Sequence, residues 1–189
     1  MSNPLAAAAT PAPALCPPES FAEVRARDHV MRYRRAGAGR AVLVLCGGGG
    51  TAADGTTPLW PELPGALTSR FRLIVPEVPA AAGADAATWL VDFLDGLGAA
   101  SIAVVATDQF CITALELALL DADRVARVVL VPGGCAEATG LDGALAATAR
   151  RPWPLPLLVV RRGLPAGEAL PLVTRFLAGG IAADEFAAG

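Results

Sequence analysis

Val104-Val105-Ala106-Thr107-Asp108-Gln109-Phe110-Cys111-Ile112-Thr113-Ala114-Leu115-Glu116-Leu117-Ala118 reads as a buried strand, a sharp turn carrying a single carboxylate, and a helix. The apolar run Ser101 to Ala106 is short and has no polar alternation, as a strand covered on both faces requires. From Gln109 to Leu120 the residues are good helix formers. Asp108 therefore stands where a strand's carboxyl end meets a helix's first free amides.

Strand and helix patterns alternate on both sides of this stretch. Strands are expected over His29–Arg35, Ala41–Leu45, Arg72–Val75, Val125–Val131 and Leu155–Val160. Helices are expected over Leu59–Thr68, Asp85–Leu97, Leu141–Ala149 and Glu168–Leu177, and Gly98 ends the second of them. Such alternation argues for an α/β three-layer sandwich around a mostly parallel sheet. In sheets of this kind ligands sit beyond the carboxyl ends of the strands. That rule selects four loops: Cys46–Gly50, Pro76–Gly83, Thr107–Cys111 and Pro132–Cys135. Residues 1–20 are Ala/Pro-rich and read as a flexible tail, leaving 21–189 as one domain.

Composition narrows the function classes. Hydrophobic residues make up 54% of the 189 and charged residues 17%, enough apolar material for a sizeable core. The net charge is −3, and no basic tract points to nucleic acid. All 15 basic residues other than the single histidine are arginines, which excludes a Schiff-base lysine and a P-loop lysine. No apolar run approaches the roughly 18 residues of a membrane span, and no secretory leader is recognisable. The four cysteines lack CxxC spacing and read as reduced thiols of a cytoplasmic protein.

The ordered set of segments resembles the α/β-hydrolase superfamily. Val30–Gly37 resembles its opening strand, and Leu43–Gly50 its strand and oxyanion loop, with Cys46 in place of the usual histidine. Phe71–Glu77 resembles the strand that often ends in Pro-Asp. The stretch around Asp108 resembles the nucleophile elbow G-x-S-x-G, its glycines replaced by Ala106 and Phe110. The resemblance implies a triad acid near Gly163 and a histidine after the last strand. Instead, Glu168 is the only nearby carboxylate, and the chain passes from the Leu155 strand into its last helix. The expectation is a lid-poor hydrolase-like fold lacking one C-terminal strand and the triad.

Each candidate residue has a chemical and a structural reading. An aspartate at the elbow, where Asp108 stands, is the nucleophile in haloalkane dehalogenases and epoxide hydrolases of the superfamily, and the resemblance implies that role for it. Without a histidine to activate water it reads instead as a general acid/base, or as a helix cap. Cys111, in a helix's first turn, is a candidate nucleophile or a small buried hydrophobe. Gly47, Gly48 and the Gln109 amide are candidates for a carbonyl-binding hole. Cys46, Glu77 and Cys135 are candidates for the crevice wall, and no metal or other cofactor is expected. His29 lies far along the sheet from the elbow. The expected function is a non-hydrolytic cyclase, lyase or isomerase step on a small organic molecule. The alternatives are a non-catalytic binding module, which would pair as a homodimer or with a partner through the uncovered sheet edge, and a hydrolase using Asp108 or Cys111.

Overall fold

The computed structural model describes residues 20–27, 29–46, 62–107, 109–132, 143, 155–160 and 164–180. Their strands are β1 (Ser20–Ala26), β2 (His29–Ala36), β3 (Arg40–Leu45), β4 (Phe71–Pro76), β5 (Ile102–Thr107), β6 (Val125–Val131) and β7 (Leu157–Val159). Their helices are α1 (Glu62–Thr68), α2 (Ala86–Leu97), α3 (Phe110–Leu120) and α4 (Ala166–Leu177), with a 3₁₀ segment at Ala80–Asp85. The sheet runs β1-β2-β4-β3-β5-β6-β7. β1 and β2 form an antiparallel hairpin, β2 is antiparallel to β4, and all other pairs are parallel. The expected α/β sandwich with a mostly parallel sheet is therefore present.

Side-chain alternation sends each strand's residues into two cores. Leu43, Leu45, Val104 and Ala106 pack with α2 and α3 on one face. Val42, Val44, Val105 and Val129 pack with Leu67 of α1 and with Val173 and Phe176 of α4 on the other. All six residues of β5 are buried, as a strand between two helical layers must be. Arg127 of β6 holds the end of α4: its guanidinium donates to the Phe176 carbonyl and lies 5.6 Å over the Phe176 ring. Arg124 ties α2 to the turn after α3, bonding Asp95 at 2.6 Å and Asp121 at 2.5 Å. The hydrogen bond to Asp121 is the main cause that raises its pKa, so this cation stays charged throughout the ordinary pH range.

Two differences from the sequence reading stand out. β1 (Ser20–Ala26) is a strand that the sequence reading did not assign, because its pattern is that of an edge strand. Val24 and Ala26 face α2 while Phe21, Glu23 and Arg25 face outward. The hairpin turn also lacks the usual Asn-Gly cue, and Arg27 adopts φ 50° in its place. Secondly, α4 begins two residues before Glu168 and carries Pro171 inside it. Among the described residues β7 is the last strand, and α4 follows it. The helix expected at Leu141–Ala149 lies outside the described residues, apart from helical Gly143. No helix among the described residues is long and apolar enough to cross a membrane.

Gly37 closes the β2–β3 turn with φ +75°, and a Cβ there would meet the Phe71 carbonyl oxygen at 2.3 Å and the Thr68 carbonyl oxygen at 2.6 Å. Both obstacles are backbone, so the chain cannot yield cheaply. Gly37→Ala is expected to cost about 2–4 kcal/mol of stability, read as a lower denaturation midpoint in urea. Gly98→Ala also occupies a left-handed cap but meets nothing within 4 Å, and should cost about 1 kcal/mol.

Candidate functional site

The chain leaves β3 through α1 to β4 on one side, then returns through α2 to β5 on the other. Successive connections thus depart to opposite faces, and the carboxyl ends of β3 and β5 flank the topological switch point, the place where sheets of this kind bind ligands. The register fixes what lines it. Leu45 pairs with Ala106, Leu43 with Ile74 and Thr107 with Val131. The Thr107–Val131 pair closes one row at the carboxyl ends, facing α1 and α4 by alternation, while Cys46 follows the end of β3 and Glu77 the end of β4.

Thr107 was not singled out by the sequence reading. It is the one buried polar or charged side chain among the described residues, 2% exposed. The available signal was a lone hydroxyl residue closing the apolar run Ile102–Ala106, immediately before the turn. A buried hydroxyl there presents a donor and an acceptor beside the crevice. Cys46 is half-buried, and Glu77 is exposed, its N–H donating to the Arg32 carbonyl at 2.9 Å.

Cys111 does not join this row. It is fully buried in the α2/α3 core, and its Sγ lies 3.6 Å from the Ala106 carbonyl. Cys111 is thus on the opposite face of the sheet from Thr107. A reactive thiol needs access, and this one is packed as a small hydrophobe. Gln109 is exposed just ahead of α3, with helical φ −59° and ψ −26° and no side-chain cap bond. Its backbone amide belongs to the free first turn of α3, which opens toward the carboxyl ends of the strands. Asp108, Gly47, Gly48 and Cys135 lie outside the described residues. Among the described residues no group of three or more His, Cys, Asp or Glu is placed to hold a metal ion.

His29, the single histidine, is exposed at the start of β2, three strands from β5. Three strand spacings amount to about 14 Å, beyond any hydrogen bond to the turn after β5.

A mostly parallel sheet with an antiparallel second strand, and a central strand ending at Thr107 just before a helix, decide the folding pattern. The fold is α/β-hydrolase-like. No protein-family model matches the chain, and no curated protein sequence does. Among solved structures, a haloalkane dehalogenase from Bradyrhizobium elkani is similar at 22% identity and TM-score 0.48, over 59% of this chain and 41% of that one. A carboxylesterase from Bacillus subtilis is similar at 21% identity and TM-score 0.48, over 59% and 42%. An epoxide hydrolase is similar at 20% identity and TM-score 0.47, over 59% and 41%. The matched segment spans about two-fifths of each of those proteins, whose activities are their own.

Thiol labelling checks the sorting of the cysteines. Iodoacetamide should leave Cys111 unmodified in the native protein and alkylate it in denaturant, as read by peptide mass spectrometry. Native labelling of Cys111 at its denatured rate would place the thiol at the surface.

Proposed function

We propose that this protein holds a small organic molecule in the crevice beyond β3 and β5 and acts on it without a Ser-His-Asp triad. Asp108 is the acid/base of this reading, and the amides of Gly48 and Gln109 hold a carbonyl. Thr107, Cys46 and Glu77, at or just past the ends of β5, β3 and β4, supply polar atoms beside the ligand. The observation that carries the reading is the position of His29. A triad base must reach its nucleophile at hydrogen-bond distance, and the single histidine starts a strand three positions away from β5.

That position separates two uses of Asp108. Covalent hydrolysis needs a second group to activate water against the ester formed on the carboxylate. Acid/base chemistry asks only that the carboxyl take a proton from one atom and return it to another. A cyclase, lyase or isomerase step fits the second requirement. The burial of Cys111 removes the other nucleophile from this reading. Among the described residues the edge strand β7 is only three residues long, and short edges resist pairing.

Proton exchange in heavy water tests the proposal. Incubated with a panel of enolisable carbonyl compounds, the protein should exchange α-hydrogens of at least one, followed by proton NMR. Asp108→Asn should slow that exchange by about 10²–10⁴-fold, while His29→Ala leaves it unchanged. Undiminished exchange in Asp108→Asn would remove the carboxylate from the chemistry. Ligand line-broadening with no exchange by any variant would favour the non-catalytic binding module.

A further inference from the structure

Thr107 closes β5, whose other residues, Ile102 to Ala106, are all apolar and buried. Its own side chain is 2% exposed, and its hydroxyl makes no hydrogen bond to another described residue. Packing does not call for that hydroxyl. A valine has the same branched outline and suits the same strand conformation. Valines are also what stand beside Thr107 on its face: Val131 across the strand pair and Val105 two residues earlier. A hydroxyl taken out of water without a partner costs free energy that a methyl group does not. A lone polar side chain kept in an apolar row at that cost breaks the local rule, and such breaks concentrate at functional positions.

Place and surroundings say what the hydroxyl would meet. Thr107 is the last residue of β5, at the switch point between β3 and β5 where a ligand belongs. The buried side chains that share its face, Val105, Val129, Val131 and Val160 among them, are apolar. Thr107 is the one buried polar or charged side chain among the described residues, so none of them offers a buried counter-charge. A carboxylate or phosphate brought against this wall would lose water without gaining a partner for its charge. A neutral carbonyl asks for one donor only, and a threonine hydroxyl supplies one.

We infer that Thr107 is a specificity-determining contact whose hydroxyl donates to a neutral carbonyl oxygen on an otherwise apolar ligand. The inference rests on the reading of the crevice as a small-molecule site. It adds the side of β5 on which the ligand's oxygen lies, that of α1 and α4, and it adds that this end of the ligand is uncharged. Discrimination then comes from the hydroxyl itself. A ligand without the oxygen leaves a buried donor unmet, and a site built around one hydrogen bond rejects an analogue that cannot make it.

Two substitutions and two readouts test it. Thr107→Val removes the donor with little change of outline, and Thr107→Ser keeps it. Binding is titrated by saturation-transfer NMR with cyclohexanone and acetophenone, each beside its hydrocarbon, cyclohexane or ethylbenzene, and with benzoate as the charged probe. Wild-type protein should bind at least one ketone better than its hydrocarbon and better than benzoate. Thr107→Val should weaken that ketone about 10-fold and leave the hydrocarbon unchanged, while Thr107→Ser restores the preference. The urea midpoint is the second readout. A hydroxyl held for a ligand is unspent in the free protein, so Thr107→Val should keep the midpoint or raise it; a hydroxyl spent inside the fold would lower it. A lowered midpoint, a ketone affinity that ignores Thr107→Val, or a wild type with no preference for either ketone would each overturn the inference. Undiminished proton exchange in Asp108→Asn, with ketone binding still lost in Thr107→Val, would remove the acid/base reading and leave this contact standing.

Discussion

The pairing of β5 with β3 on one side and β6 on the other is the constraint from which the crevice takes its shape. Six buried side chains alternate between two cores, so the register decides which chemistry faces which helical layer. A slip of one residue would turn Ala106 away from α3 and drive the Thr107 hydroxyl into the α2/α3 core. It would also separate the Cys111 thiol from the Ala106 carbonyl. The apolar side chains of both cores hold the register in place, and a polar residue at the end of β5 is tolerated because the strand stops there.

Most of this scaffold was legible because parallel strands between two helical layers have no polar face. Ala41–Leu45 and Ile102–Ala106 are continuous apolar runs, Val125–Val131 is broken only by Arg127, and each lies within a residue of its observed strand. β1 was not legible for the converse reason. An edge strand needs only one apolar face, and Ser20-Phe21-Ala22-Glu23-Val24-Arg25 offers small or modest side chains on that face. Its fit depends on a distant residue: at Gly96 of α2 a Cβ would meet Val24 Cγ2 at 2.8 Å. Local pattern cannot show that a glycine seventy positions later leaves room for the strand.

The candidate site was legible in position more than in arrangement. Sequence order placed Cys46, Glu77 and Cys111 near strand ends, and that is where they are. What sequence order could not supply was the face. Thr107 at the end of β5 and Cys111 in the helix that folds back over the sheet lie on opposite faces, only four residues apart. Thr107 was overlooked because a single hydroxyl in an apolar run is usually a neutral neighbour; only its pairing with Val131 shows which face it takes.

The same two-residue period connects the crevice to the molecule's outer surface. On the hairpin it divides one strand pair into a face that packs on α2 and a face that carries Phe21, Val30 and three arginines. A sheet interior to the fold has both faces covered by its own helices, but the hairpin extends past them on one side. Uncovered apolar side chains in that position cost solubility unless charge separates them, and the Glu23–Arg32 pair sits between Phe21 and Val30.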